Sequence, residues 1–215
     1  MFEKRKVTAS LILNALIVLT TIGVVISYFF GNDGKYHIPP SFRFCLFTTD
    51  SNLLCMLTSA IMCFFEIRFL RSGKPIPDLA LILKFVGTTA VALTFTIVIT
   101  FLGPLMGFME MVFGGTSIYM HFFGPIFAFV SFCFFETKCI LSKKMLIPAV
   151  VPALIYGVIY LIMVVLVGAD NGGWIDFYSF NMNGMWHISF SGIMLLTLLL
   201  AAVTRLLHNH IIRKN

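Results

Sequence analysis

Residues 7–30 read VTASLILNALIVLTTIGVVISYFF, an apolar run that contains no charged side chain. A helix needs about 20 predominantly apolar residues to cross the hydrocarbon core of a bilayer. The run is long enough for that, it exceeds the apolar core of a signal peptide, and no clear cleavage site of small residues follows it. We therefore predict that it forms the first membrane-spanning helix.

The composition extends this prediction to the whole chain. Of 215 residues, 59% are hydrophobic and only 11% are charged, and the mean hydropathy is +0.98. A soluble domain rarely carries so little charge, because its surface must face water. The alternating ten-residue segments of a membrane β-barrel are absent. The sequence thus predicts an all-α, polytopic membrane helical bundle.

Apolar runs of similar length recur along the chain, separated by segments rich in turn-forming and charged residues. We predict six spans, at residues 7–30, 44–70, 79–102, 116–135, 145–168 and 186–207. The stretch GPLMGFMEMVFGG, residues 103–115, is less polar than the other connections and is typical of an interfacial or re-entrant piece. No segment remains for a soluble domain, so residues 1–215 are expected to form a single six-helix transmembrane domain.

The basic residues predict the orientation of the bundle. Short loops rich in Lys and Arg stay on the cytoplasmic side of the membrane. Six spans place twelve basic residues on one side: Lys4, Arg5, Lys6, Arg68, Arg71, Lys74, Lys138, Lys143, Lys144, Arg205, Arg213 and Lys214. The opposite loops hold only Lys35 and Arg43, and Lys84 begins the third span. We expect cytoplasmic termini in the plasma membrane, and a net charge of +6 that reflects orientation rather than nucleic-acid binding.

Polar side chains gather toward the outer end of two spans. The second span enters from outside and carries FTTDSNLL, residues 47–54, which places Thr48 roughly 7–8 Å below the point of entry. His121 lies at a similar depth in the fourth span. Helical phase turns Asp50 nearly away from Thr48 and sets Thr49 at the flank. The stripe expected to face the bundle interior is Thr48, Ser51, Asn52, Cys55 and Ser59.

Two interpretations of Thr48 and His121 remain open on the residues alone. A membrane threonine commonly makes an interhelical hydrogen bond, and a lone histidine beside a proline is often only a satisfied core residue. Pro125 lacks the N–H that would bond the His121 carbonyl, and its ring crowds that carbonyl, so a kink is expected next to the histidine. Alternatively, the threonine is a nucleophile, which needs an adjacent base, and histidine has a suitable pKa.

An acyl-transfer site also needs donors for the oxyanion and groups that hold the substrate. Asp176 or Glu110 is a candidate to orient His121. The outer-side residues that we predict to bind substrate are Asn52, Trp174, Asp176, Trp186 and His187.

A zinc site is the competing chemistry, since His37, His121 and His187 all belong to the outer side. No closely spaced ligand motif supports it, so neither a metal nor another cofactor is predicted. The five cysteines are odd in number and form no C-x-x-C pair, which indicates small buried side chains rather than disulfides. His208 and His210 are expected to be solvated in a C-terminal tail.

Three motifs resemble the family of androgen-induced and androgen-dependent (ADTRP-like) six-span membrane proteins, which has bacterial relatives. They are FTTDSNLL at residues 47–54, MHFFGP at residues 120–125 and WIDFYSF at residues 174–180. The resemblance implies an intramembrane threonine hydrolase that cleaves fatty-acid esters of hydroxy fatty acids. It implies Thr48 as the nucleophile and His121 as the histidine. Asp50 departs from the family pattern.

The resulting hypothesis is a lipid-ester hydrolase whose partners are membrane lipids and a lipid-ester substrate, and whose outer site lies under the loop at residues 170–183. The alternatives are a small-molecule or lipid transporter, or a non-catalytic membrane binding protein, using the same outer cavity. Transport is disfavoured because no internal repeat with paired broken helices is visible and charges look scarce inside the spans. The oligomeric state is not predicted.

Overall fold

A computed structural model describes residues 2–30, 40–136 and 139–214. These residues form helices and connecting turns, with no strand among them. The α-helices are α1 Phe2–Phe30, α2 Pro40–Arg43, α3 Phe47–Ser72, α4 Asp78–Ile97, α5 Gly103–Met106, α6 Phe108–Phe113, α7 Gly124–Val130, α8 Leu146–Leu161 and α9 Trp186–Lys214. Four π-helical segments join or extend them, at Val98–Leu102, Tyr119–Phe123, Ser131–Phe135 and Ile162–Val167. Three short 3-10 turns complete the helical elements: Lys143–Met145, Ala169–Asn171 and Met182–Gly184.

Within the described residues, five continuous helices are long and apolar enough to cross a membrane. They are Glu3–Phe30, Phe47–Ser72, Asp78–Met106, Lys143–Val167 and Trp186–Lys214. Their outward faces carry large exposed apolar side chains such as Leu19, Leu166 and Leu195, which suit contact with lipid. The predicted membrane-embedded helical bundle is thereby confirmed. A sixth apolar helix, Tyr119–Phe135, is shorter, so the count of six spans stays a prediction.

The third helix, α3, packs closely against both α1 and α4, and α8 and α9 pack on the far side of α4. Small side chains permit the close approach of α3 and α4. A Cβ atom added at Gly87 would overlap the Thr58 hydroxyl and would lie 3.1 Å from the Cys55 Cα atom. Glycine at this position therefore lets the two backbones meet, as is common between membrane helices.

A kink is expected next to Pro125, and the structure has a π-helical segment just before it, at Tyr119–Phe123. Over Tyr119–Phe123 the hydrogen-bond ladder widens, and the Gly124 N–H donates to the Tyr119 carbonyl. Regular α-helix resumes at Gly124, with Pro125 in its first turn, where no N–H is needed. Single π turns of this kind re-aim side chains inside a helix. Here the turn carries His121.

The segment between the third and fourth predicted spans folds as two short helices, α5 and α6. Val112 of α6 is fully buried against Val98 and Leu102. Leu105 and Met109 are exposed on the opposite side. Helix α5 thus forms the end of the Asp78–Met106 helix, and α6 lies against the Val98–Leu102 segment with an apolar outer face, an arrangement that suits the membrane interface.

One part of the C-terminal prediction is wrong. His208 is fully buried, and its ring stacks on Phe132 at a centroid distance of 4.5 Å. Its Nδ1 and Nε2 atoms lie 3.0 and 3.1 Å from the carbonyl oxygens of Phe132 and Cys139. The cause is that α9 continues to Lys214, so His208 extends a buried stripe that includes Ala201 and Thr204. His210 is exposed, as predicted.

Candidate functional site

The site begins at the N-terminus of α3. Leu46, the N-cap residue, supplies no side-chain cap, and no backbone carbonyl of the described residues accepts from the N–H groups of Phe47 or Thr48. Such first-turn N–H groups carry partial positive charge and favour an acceptor or an anion. Thr48 is half-buried beside them. The Thr48 hydroxyl therefore lies near the backbone N–H groups of Phe47 and Thr48.

The burial of side chains in the first turns of α3 agrees with the inward-facing stripe predicted from helical phase. Asn52 is 3% exposed and Cys55 and Ser59 are at most 1% exposed, whereas Asp50 is on the exposed side. Thr49, expected at the flank, is only 1% exposed and is more buried than Thr48. Thr48 is thus the more accessible of the two hydroxyls.

Asn52 connects the helix of Thr48 to the helix of His121. Its Nδ2 group donates to the Thr48 carbonyl at 2.8 Å and to the Met120 carbonyl at 3.1 Å. Both amide hydrogens are therefore engaged, and the Oδ1 atom faces Gly124, where an added Cβ would lie 3.2 Å away. A bridge between two backbones fixes Thr48 and His121 relative to each other. Asn52, predicted to bind substrate, has only Oδ1 left for that role.

His121 is held in one tautomer by a backbone carbonyl. Its Nδ1 atom lies 2.6 Å from the Met111 carbonyl oxygen, which can only accept a hydrogen bond. Nδ1 must therefore carry the hydrogen, and in the neutral ring Nε2 presents its lone pair. A carbonyl that fixes the opposite nitrogen is a common way to orient a basic histidine. The sequence could not reveal this partner, because a backbone carbonyl leaves no trace in residue type.

Tyr178, from the loop at residues 170–183, lies next to Thr48. Its hydroxyl lies against the Thr48 side chain and against the backbone of Phe47 and Thr48, with Tyr156 on its other side. The buried oxygen nevertheless makes no hydrogen bond of normal geometry with the described residues. Burial raises the pKa of the Tyr178 phenol to about 12, so the group keeps its proton at neutral pH. Tyr178 therefore brings a protonated hydroxyl next to Thr48.

The loop that carries Tyr178 is fixed by Asp176. Asp176 Oδ1 accepts from the Phe180 N–H at 2.7 Å and from the Tyr160 hydroxyl at 3.2 Å. Its Oδ2 accepts from the Asn181 N–H at 2.9 Å. The carboxylate thus organises the loop that lies over the start of α3.

The remaining predicted substrate-binding residues lie farther along the same surface. Trp174 is half-buried and packs edge-on against Tyr160 at 6.0 Å. Trp186 and His187 begin α9 and contact each other at 5.9 Å, with His187 exposed. The substrate-binding role of these three residues stays a prediction.

No three His, Cys, Asp or Glu side chains within the described ranges are arranged to hold a metal ion. Of the three histidines in the competing zinc hypothesis, His37 lies outside those ranges. His121 commits Nδ1 to a carbonyl and His187 is exposed on α9. All five cysteines are free thiols.

A second polar cluster lies at the opposite, predicted cytoplasmic end of the bundle. We call it the inner carboxylate cluster, and it consists of Ser10, Asn14, Glu66, Ser131 and Glu136. Every member is at most 5% exposed. Lys84 is also fully buried, and its ammonium donates to Ser59 at 2.6 Å.

The inner carboxylate cluster corrects the prediction that charges are scarce inside the spans. Glu66 lies in the last turns of α3, and Glu136 directly follows the Ser131–Phe135 turn. In the sequence, both look like charged residues at the edge of a loop. The fold turns both inward, which the sequence could not indicate because their partners on α1 are distant in the chain. One argument against transport is removed.

No protein-family model matches the chain, and no match was found among curated proteins or solved structures. The resemblance to the androgen-induced and androgen-dependent proteins therefore remains a prediction from three short motifs.

Proposed function

We propose that the protein is a six-span hydrolase of lipid esters in the plasma membrane, with cytoplasmic termini and its active site toward the outer side. The substrate class is an ester with a long acyl chain, such as a fatty-acid ester of a hydroxy fatty acid. Thr48 is the nucleophile and His121 is the base. The sixth span is the Tyr119–Phe135 helix, preceded at its outer end by the apolar helix α6.

The observation that carries this proposal is the Asn52 bridge. It ties the backbone of Thr48 to that of Met120, the residue before His121, through hydrogen bonds of 2.8 and 3.1 Å. Nucleophile and base must be held in fixed relation for efficient transfer. The Met111 carbonyl supports the same assignment, since it leaves the Nε2 lone pair of His121 as the proton acceptor.

In the first step, Thr48 Oγ1 attacks the ester carbonyl carbon and its proton passes to His121 Nε2. The negative charge that develops on the carbonyl oxygen is stabilised by donors at the start of α3: the N–H groups of Phe47 and Thr48 and the Tyr178 hydroxyl. Donors at a helix N-terminus suit a developing oxyanion. The intermediate then collapses, and the leaving alcohol takes the proton from His121.

In the second step, water hydrolyses the acyl–threonine ester. His121 Nε2 removes a proton from the attacking water, and the same proton returns to Thr48 Oγ1 as the acyl bond breaks. The fatty acid leaves and the free threonine is restored. Both steps use one base, so loss of His121 slows acylation and deacylation together.

The proposal is tested by hydrolysis of long-chain p-nitrophenyl esters and of a fatty-acid ester of a hydroxy fatty acid by the purified protein in detergent. The variants are Thr48→Ala, His121→Ala and Tyr178→Phe, with Thr49→Ala as the matched control. We expect at least about a 10³-fold loss of kcat for the first two and about a 10–100-fold loss for Tyr178→Phe. Thr49→Ala is expected to retain activity.

Inactive wild-type protein on all these esters would contradict the proposal. Loss of activity in Thr49→Ala with retention in Thr48→Ala would move the nucleophile by one residue. Thermal unfolding of each variant separates a chemical loss from misfolding.

A further inference from the structure

The inner carboxylate cluster brings two glutamates to one amide nitrogen. Asn14 Nδ2 lies 3.0 Å from Glu136 Oε1 and 3.4 Å from both carboxylate oxygens of Glu66. The Ser131 hydroxyl donates to Glu136 Oε1 at 2.7 Å, and the Ser10 hydroxyl lies 3.2 Å from the same atom. Three chain segments that are distant in sequence therefore present their oxygens to one buried point.

Two oxygens in this cluster are buried and have no hydrogen-bond partner among the described residues. They are Glu136 Oε2 and Asn14 Oδ1, on residues that are 5% and 0% exposed. Asn14 Oδ1 belongs to the same carboxamide whose nitrogen contacts both glutamates. Buried polar atoms are nearly always satisfied, and an acceptor left alone in an apolar setting is costly. Both atoms are hydrogen-bond acceptors, so each needs a donor or a positive ion.

The buried charged side chains near the cluster include two glutamates and one lysine. Two ionised glutamates carry two negative charges, and Lys84 supplies one positive charge nearby, where it donates to Ser59. Thiols near the carboxylates are those of Cys55, Cys63 and Cys133. On α1, Lys6 lies one turn before Ser10. A buried, uncompensated negative charge is unfavourable by several kcal/mol, on the order of the penalty for one desolvated ion.

We propose that the inner carboxylate cluster binds one monovalent cation, a proton or a sodium ion, between Glu136 Oε2 and Asn14 Oδ1. Either ion satisfies both lone oxygens and adds a positive charge beside the two carboxylates. The proposed ligands are carboxylate, amide and hydroxyl oxygens, which suit hard cations. The site is separate from Thr48 and His121 and does not depend on the hydrolase assignment.

The test is thermal unfolding of the purified full chain, followed by tryptophan fluorescence while sodium chloride replaces choline chloride at constant ionic strength. The titration is run at pH 8 and at pH 6. Glu136→Gln removes the proposed charge with almost no change of shape, and Glu66→Gln serves if that variant does not fold. Asp78→Asn, an exposed carboxylate at the start of α4, is the matched control. Binding of radioactive sodium to the wild type is measured in parallel.

A sodium site predicts a saturable rise in Tm of about 5–10 °C at pH 8, when sodium reaches about 100 times its Kd. The rise is smaller at pH 6, because protons compete, and radioactive sodium is retained. A proton site predicts no response to sodium. Its Tm rises from pH 8 to pH 6, because a group that binds its proton more tightly when folded stabilises the fold as pH falls. Glu136→Gln abolishes either response, and Asp78→Asn keeps it.

A wild-type Tm that is independent of both sodium and pH, without retained sodium, would overturn the proposal. The same conclusion follows if Glu136→Gln and Glu66→Gln respond to sodium and pH as the wild type does.

Discussion

Replacement of Asn52 by alanine removes the bridge between α3 and the Tyr119–Phe123 turn. Two hydrogen bonds are lost, to the carbonyl oxygens of Thr48 and Met120. A neutral hydrogen bond contributes about 1 kcal/mol net, and bonds between membrane helices average about 0.6 kcal/mol. The free energy of unfolding should therefore fall by about 1–2 kcal/mol, which corresponds to a decrease of about 2–8 °C in Tm.

The same substitution should reduce hydrolysis by more than the stability loss explains. A displacement of about 1 Å between reacting groups can lower the rate by about 10²-fold. We therefore expect kcat/KM for a long-chain ester to fall by about 10–100-fold at a temperature where Asn52→Ala is fully folded. Thermal unfolding in detergent and initial-rate measurements on the same preparation give both quantities.

Two control variants separate the bridge from local charge and size. Asp50→Ala lies on the exposed side of the same turn and should change neither Tm nor kcat/KM. Asn52→Asp keeps the size of the side chain but cannot donate, so it should lose at least as much as Asn52→Ala. An Asn52→Ala protein with unchanged Tm and activity would refute the claim that this residue holds the two helices in register.

Other positions give sharper contrasts. His208→Ala should lower the free energy of unfolding by about 2–4 kcal/mol, because a buried ring and its contacts with two carbonyl oxygens are lost. His210 is exposed, so His210→Ala should have little effect in the same denaturation assay. Gly87→Ala should destabilise the protein by about 1–3 kcal/mol, because the added Cβ overlaps a side chain of α3. At Gly23 the added Cβ meets open space, so Gly23→Ala should be neutral or slightly stabilising in the same thermal unfolding assay. Tyr178→Phe should leave Tm unchanged or raise it, since the lost hydroxyl makes no hydrogen bond of normal geometry with the described residues. A fall of several degrees would show that its contacts with Thr48 and Tyr156 stabilise the fold.

Apolar run lengths identified a helical membrane protein, because spanning requires a minimum length that a sequence displays directly. Helical phase also placed Asn52 inward and Asp50 outward on α3, since one rotation per residue relates neighbours within a helix. The phase was less successful for Thr49, which is buried because neighbouring segments cover the flank of the helix as well as its inner stripe.

The sequence could not predict which hydrogen-bond partners the buried polar groups have. Glu66 and Glu136 both contact Asn14, which lies 52 and 122 residues away in the chain. Met111 orients His121 through a carbonyl, and every residue carries one. Pairings of this kind depend on which helices are neighbours, and periodicity within a single helix contains no information on that.

The most direct test of the central claim is to locate the covalent adduct formed when the wild-type protein reacts with a long-chain fluorophosphonate. Intact mass and peptide mass spectrometry identify the modified residue. The account predicts a single adduct on Thr48, absent from Thr48→Ala, strongly slowed in His121→Ala and retained in Thr49→Ala. An adduct on any other residue, or a wild-type protein that neither reacts nor hydrolyses lipid esters, would contradict it.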